Sequence, residues 1–441
     1  MNHSLEREIR IYSEFQSPRL SYVLDTIFID LLGVDYNFVS NPELAHLSYG
    51  TNSTKLSVVP YGLLQEQGIR NLKNEIRFEA WEQSWCCFKT NGSIPFDIFS
   101  ATFFLLSRYE EYLEFYLDEH QRFTARESVL TQQDLLEQPL INQWALQLKD
   151  LLQSHYPHLS FKPRSFEYIS TIDIDQAFKY RNKGLKRNLA GFVRDALESK
   201  WENFKERWPV LLGIKPDPFN NFEWQHEVHE KAKTLVKYFV LLGDFDTYDK
   251  NVDWNNKAFQ KLIKALKSRP ENQVGIHPSY AAGIQLYIDR NNKLQEEIKR
   301  LFGISEAEVT LSRQHFLIHQ FPTTYDALMK EEISEEHSMG YSTHLGFRAG
   351  IAAPFYYYNF KEESKTDLLL YPFCFMDITP LHYMELSPDE AIVKMKEFMQ
   401  KIKGVGGLFV SLWHNESLGE TERWKGWRVL YEEMIAEANK A

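Results

Sequence analysis

Apolar and polar positions change rhythm near residue 160. Before it, the strongest signal is the segment IPFDIFSATFFLLSRYEEYLEF (94–115), whose apolar run 99–106 stops at Ser107-Arg108-Tyr109-Glu110-Glu111. That run is far short of the roughly 20 residues that span a bilayer, so it predicts a buried helix. A second helix is predicted over 142–152, after Pro139. Segment 154–165, SHYPHLSFKPRS, holds two prolines and little periodicity and reads as a linker. Beyond it, short runs of β-branched and aromatic residues alternate with amphipathic stretches, the pattern of parallel βα units. Strands are predicted at 166–175, 237–244, 273–279, 309–316, 337–341, 368–377 and 408–415, with helices at 257–267, 284–302, 323–330 and 388–403. The chain thus divides into a smaller α+β domain, 1–160, and an α/β domain, 165–441, that carries an insertion at about 176–236.

Composition narrows the function. Hydrophobic residues make up 43% and charged residues 25% of the 441, which fits a folded protein. Lys and Arg number 50 against 61 Asp and Glu, a formal charge of -11. This argues against a broad nucleic-acid surface, which needs clustered cations. The aromatic content of 15% fits large cores and would also suit a site where sugar faces stack on rings. Three cysteines, Cys86 and Cys87 adjacent, make neither a disulfide framework nor a zinc knuckle and read as buried thiols. The opening MNHSLEREIRIYSEF carries charges where a signal peptide needs an apolar run, so a cytoplasmic protein is expected.

The chemistry collects where the strands end, the face at which parallel sheets bind ligands. One strand ends in Asp173 and Asp175, another in His277 with Ser279, another in Arg313 and His315, and the last in His414. Each has an ordinary explanation as a cap or a satisfied polar residue, but that explanation has to be repeated four times in register. Period-2 alternation points Asp173 and Asp175 to one face, where two carboxylates repel. A divalent metal relieves that repulsion, and His277 adds an imidazole that zinc favours.

In motif order, residues 165–435 resemble the polysaccharide deacetylases, metal-dependent carbohydrate esterases. The resemblance implies a distorted seven-stranded (β/α) barrel. Thr171-Ile172-Asp173-Ile174-Asp175 stands at the first motif, which implies Asp173 as catalytic base and Asp175 as metal ligand. Gly275-Ile276-His277-Pro278-Ser279 stands at the second, with His277 as ligand and Ser279 as a substrate contact. The family's second histidine would fall at 281, here Ala281, so the third ligand is His315, Asp173 or water. Arg313-Gln314-His315-Phe316 stands at the third motif and implies Arg313 orienting Asp173, with the Phe316 N–H in the oxyanion hole. Glu336-His337-Ser338 stands near the fourth. Leu412-Trp413-His414 stands at the fifth, with Leu412 and Trp413 against substrate and His414 as acid. Together with GFRAG (346–350), these segments look like a bacterial branch of the family in which the first domain is a companion without an assigned function.

The expectation is a hydrolase acting on amide bonds, with a divalent metal, zinc first, that removes an N-acetyl or similar small acyl group from an amino sugar in a polysaccharide or glycan precursor. The alternative is a non-catalytic glycan-binding or assembly protein on a decayed barrel. A two-metal phosphoesterase would need further His and Asn ligands. Residues 179–208 hold nine Lys or Arg against four Asp or Glu. They read as a solvated helical lid or as a patch for an anionic glycan, a diphosphate-linked carrier or an anionic membrane.

Overall fold

The computed structural model describes residues 7–50, 55–72, 75–286 and 292–440. They form two units that are not contiguous in sequence: 1–167 with 339–374 and 398–409, and 168–338 with 375–397 and 410–441. The break at 167 falls beside the expected linker. The return of 339–374 and 398–409 to the first unit was not legible from periodicity. Its cause is specific pairing: Arg348 binds Glu111, the Asn142 carboxamide accepts from Ala352 N at 2.9 Å, and Tyr358 and Phe360 pack edge-on against Phe103.

In the first unit, β1 (Glu8–Ser13), β2 (Asp35–Phe38), β3 (Leu47–Tyr49) and β4 (Ser57–Val58) form a parallel sheet in the order β2-β1-β3-β4. Its core face carries Ile9, Ile11, Leu47, Tyr49 and Val58, all buried. β5 (Glu79–Trp81) and β6 (Ser84–Cys86) make a small antiparallel hairpin. The apolar run becomes helix Ile98–Leu106, buried along its whole length. Asp97 caps it, accepting from Phe99 N and Ser100 N, which satisfies end donors that water cannot reach. The other predicted helix spans Leu140–His155 and buries Trp144, Leu148 and Leu152 on one face. All three cysteines are buried free thiols.

The second unit contains β7 (Glu167–Ile174), β8 (Val236–Leu241), β9 (Asn272–His277), β10 (Leu311–Ser312) and β11 (Glu335–Glu336). The antiparallel pair β12 (Phe355–Asn359) and β13 (Ser364–Leu370) belongs to the first unit. β14 (Phe375–Met376) and β15 (Leu408–His414), the latter from Val410 on, then complete the second. Its strand order is β11-β10-β9-β8-β7-β15-β14, and the registered pairs are parallel. This is mixed α/β architecture with parallel strands, as expected. The order is an open series and by itself does not show a closed barrel. β8 is buried at all six positions, the mark of a central strand covered on both faces.

Two strand expectations are corrected. Residues 337–341 are not a strand: β11 ends at Glu336, and the His337 carbonyl accepts from Arg313 Nε instead of from a neighbouring strand. Segment 368–377 is broken, because Pro372 has no N–H to donate, so β13 stops at Leu370 and β14 is a separate two-residue strand. The helix expected over 284–302 corresponds to Tyr280–Leu286 and Asn292–Ser305; 287–291 lie outside the described residues, as do the first six residues of the expected charged N-terminus. Helices Lys257–Lys267, Thr323–Lys330 and Pro388–Gly404 match expectation, and the insertion is helical at Gly184–Leu197, Trp201–Leu211 and Phe222–Ala232. Among the described residues, no helix is long and apolar enough to cross a membrane.

Candidate metal and acid–base site

The ends of β7, β9, β10 and β15 bring together the residues that the strand-end pattern singled out, all within the second unit. On β7, Thr171 and Asp173 share a face with Asp175, just beyond the strand, while Ile172 and Ile174 fill the opposite face. Gly275 lets β9 approach β10 closely, since a Cβ there would meet the Leu311 carbonyl oxygen at 2.6 Å. His277 and His315 then lie with ring centroids 5.0 Å apart.

Both carboxylates face His277: its Nε2 is 3.3 Å from Asp175 Oδ1 and 3.7 Å from Asp173 Oδ2. His277 Nδ1 lies 2.6 Å from the Arg313 carbonyl oxygen, which can only accept, so Nδ1 donates there and Nε2 is the nitrogen turned inward. His315 Nε2 lies 3.5 Å from Asp175 Oδ2, and its Nδ1 is held by Asp249 Oδ1 at 2.9 Å. The ligand atoms of Asp175, His277 and His315 all lie within 4.8 Å of one another, and buried Asp175 Oδ1 has no hydrogen-bond partner. Two oriented imidazoles and one carboxylate, with that oxygen unpartnered, fit a divalent cation of zinc type.

Electrostatics follow the same geometry. Burial opposes the charge on Asp175, but His315, His277 and His414 hold its carboxyl well below the usual range. Burial likewise opposes protonation of His315, and Asp175 and Asp249 override it, raising the imidazole to about 9. Asp249 also accepts from Tyr280 N at 2.9 Å and Ala281 N at 3.3 Å. Where the resemblance led to a second histidine at 281, the chain therefore has an alanine whose backbone helps anchor the carboxylate that orients His315.

Two polar pairs flank the triad. Arg313, fully buried, donates through Nη1 to Asp173 Oδ1 at 3.0 Å and to Thr171 Oγ1 at 2.7 Å. His414 donates through Nδ1 to Asp377, with both carboxylate oxygens at 3.1 Å, and its Nε2 faces Asp175 Oδ2 at 3.9 Å. Burial disfavours the imidazolium, yet Asp377 foremost, with Asp175 and Asp173, raises His414 well above its ordinary value.

Asp249 and Asp377 were the residues missed. Asp377 was accessible, because it ends a segment already read as a strand, and it holds His414 while the Glu336 carboxylate accepts from Ser338 N. Asp249 gave no signal, sitting in a loop with Asp244, Asp246 and Asp253. Two of the residues expected to contact substrate make contacts within the protein. Ser279 is buried, caps helix Tyr280–Leu286 through Ala282 N and donates to Glu297. Trp413 points to the face opposite His414 and packs on Tyr431 of helix Arg428–Ala438, with ring centroids 5.0 Å apart. Leu412 lies on the His414 face, and Phe316 adopts a left-handed backbone, φ 57°, directly after His315.

Beside this site lies a cleft of about 460 Å³ lined by Lys183, Arg187, Phe245, Asp253, Trp254 and Asn256. Lys183 Nζ donates to the side chain of Gln176, the residue after Asp175, at 2.6 Å. Arg187 stacks on Phe245 at 4.1 Å and donates to the carbonyls of Lys250 and Asn251, just past Asp249. Burial, and then Arg187, pull the Lys183 amine down to about 7.

Residues 9–157, about a third of the chain, match the family described as "Family of unknown function (DUF7033)". A comparison with curated proteins finds none that matches. Among solved structures, a Mycobacterium smegmatis protein classed provisionally as a polysaccharide deacetylase superposes with a TM-score of 0.40 at 12% identity, over 63% of this chain and 84% of that one. A 4-alpha-glucanotransferase from Thermococcus litoralis gives 0.36 at 12% identity, over 62% and 37%. The polysaccharide deacetylase Bc1974 from Bacillus cereus gives 0.29 at 12% identity, over 61% and 87%.

Proposed function

We propose that the second unit, as a (β/α) barrel, is a metal-dependent hydrolase that removes an N-acetyl or similar small acyl group from an amino sugar in a glycan or glycan precursor. The observation that carries this reading is the convergence of Asp175, His277 and His315 between an arginine-held aspartate and an aspartate-held histidine.

Asp175, His277 and His315 would hold the cation, zinc first, and when bound it would polarise the acyl carbonyl and ease deprotonation of water. Asp173 has Oδ1 fixed by Arg313, leaving Oδ2 to take a proton from the attacking water. The water oxygen bonds to the carbonyl carbon, and the Phe316 N–H supports the negative charge that develops on the acyl oxygen. His414, its Nδ1 committed to Asp377, carries a proton on Nε2 and delivers it to the sugar nitrogen as the C–N bond breaks. The products are the free acid and the amine. Leu412 lines the acyl pocket, and the neighbouring cleft, with Phe245 and Trp254 for sugar faces and Lys183 and Arg187 for an anionic substituent, receives the adjoining residues of the glycan.

The test pairs elemental analysis of the purified protein with acetate release from N-acetylated amino-sugar oligomers, neutral and phosphorylated. Bound metal with metal-dependent release supports the reading. Bound metal without release from any of them favours the glycan-binding alternative. Absence of metal, with no affinity for zinc, cobalt, nickel or manganese by titration calorimetry, overturns the reading.

A further inference from the structure

The helical hairpin formed by Gly184–Leu197 and Trp201–Leu211 has an outer surface that its own core does not explain. The inner side is complete. Arg207 is buried, pairs with Asp195 and reaches Asn188 at 3.2 Å, and Gly191 makes room for it, since a Cβ there would meet Arg207 Nη1 at 2.5 Å. Phe192 packs on Phe204 at 5.4 Å. The outer side carries Leu185, Leu189, Val193 and Leu197, spaced by four on one helix, with Trp201 and Trp208 on the next. These six side chains are 52% to 81% exposed. Leu212 and Ile214 extend the surface, so eight of the 21 exposed large apolar side chains among the described residues fall within these 30 positions.

Exposed cations border the stripe: Lys186, Arg194 and Lys205. Most nearby acids are spent locally, Asp195 on Arg207, Glu206 on Lys179 and Glu198 on Lys200. An apolar stripe with tryptophans, rimmed by lysine and arginine in a chain of net charge -11, is the chemistry of a helix lying in the interface of an anionic bilayer. A second copy of this chain is a poor occupant, because a twofold contact sets the patch against itself and brings these cations together. Lys183 and Arg187, which line the cleft, are not part of this surface.

We infer that the hairpin 184–214 docks the protein on an anionic lipid surface, with the leucine–valine stripe and the two tryptophans entering the interface and Lys186, Arg194 and Lys205 facing lipid phosphates. This goes beyond the proposed hydrolysis and stands whether or not that reaction is right. The test is co-sedimentation of the full chain with vesicles of phosphatidylglycerol and phosphatidylcholine, and with vesicles of phosphatidylcholine alone. The protein should sediment with the first and stay in solution with the second. Changing Leu185, Leu189, Val193 and Leu197 together to Gln should weaken partitioning by at least about 100-fold. Lys186→Gln, Arg194→Gln and Lys205→Gln together should weaken it by roughly 10- to 100-fold, an effect that added salt reproduces in the parent. All seven side chains are exposed, so thermal unfolding should not move, and each variant set checks the other if one folds poorly. Failure of the parent to bind anionic vesicles, equal binding to both vesicle types, or undiminished binding by the quadruple variant overturns the inference. So does a parent dimer that the quadruple variant converts to monomer, which assigns the stripe to a second copy.

Discussion

Each unit buries a cluster of charged side chains, and the two clusters differ in how they are closed. In the first unit Arg108 donates to Glu110 at 2.7 Å and to Glu111 at 2.8 Å, and Arg348 grips Glu111 from the other side. Glu110 also accepts from Ser128 Oγ and Val129 N, so both acids are fully engaged, and all four ionic groups are nearly inaccessible to water. In the second unit Asp173, Asp175, His277, His315 and His414 crowd together, and Asp175 Oδ1 is left without a hydrogen bond. The first cluster alternates opposite charges and closes on itself. The second gathers atoms able to hold a metal ion around a carboxylate oxygen that no hydrogen bond satisfies.

The widest separation between the clusters should come from His277→Ala. It removes a ligand without touching the first unit, so metal content should fall to background and acetate release by at least about 1,000-fold, beyond the roughly 10- to 100-fold cost of losing an outer partner. Elemental analysis and turnover at saturating substrate check this, and full metal content in the variant would break the comparison. Glu111→Gln should do the reverse. It leaves two buried guanidiniums with one full carboxylate, costing about 3–5 kcal/mol of stability by denaturant titration while metal affinity per folded chain stays the same.

A buried acid between the extremes sharpens the contrast. Glu297 meets Ser279, through its N–H at 2.8 Å and its hydroxyl, but burial outweighs these bonds and the Arg300 guanidinium and pushes its carboxyl up to about 7. With the folded value raised above the unfolded one, its contribution to stability is fully present below about pH 4.5 and is lost as pH rises through about 7. Glu297→Gln should therefore flatten stability against pH in that window, a difference of up to about 3 kcal/mol in denaturant series across it. An unchanged slope would mean that Glu297 ionises freely where it is. The smallest effects belong to the outer partners. Asp377→Asn should lower turnover by about 100-fold with metal retained, and Asp249→Asn should weaken metal affinity by roughly 10- to 100-fold with the acid–base pair intact. If Asp249→Asn bound metal like the parent, His315 would not depend on it for orientation.

Much of the candidate site could be read from residue types alone, because strand ends are local features. An alternating apolar run marks a strand, and whatever polar residue follows it is carried to the rim of the sheet, which is how Asp173, Asp175, His277, Arg313, His315 and His414 came to be singled out. Period-2 geometry also set both aspartates on one face, with Ile174 turned away between them. Chain pattern determined these things because each depends on neighbours within a few residues. It equally marked the apolar run 99–106 as a buried helix and 179–208, within the insertion, as a basic helical stretch.

Tertiary structure decided what depends on distant partners. That Asp249 steadies His315, that Asp377 rather than Glu336 holds His414, that Ser279 meets Glu297 and that Trp413 packs on Tyr431 all follow from contacts across 18 to 66 residues of chain. Segments 339–374 and 398–409 join the first unit for the same reason, since Arg348 finds Glu111 237 positions away. The apolar stripe 185–197 makes the point most directly. Its spacing is that of any amphipathic helix, and only the packed structure reveals that the face left outside is the greasy one. Local preference places a residue on a face; which face is covered is settled by everything else that competes to cover it.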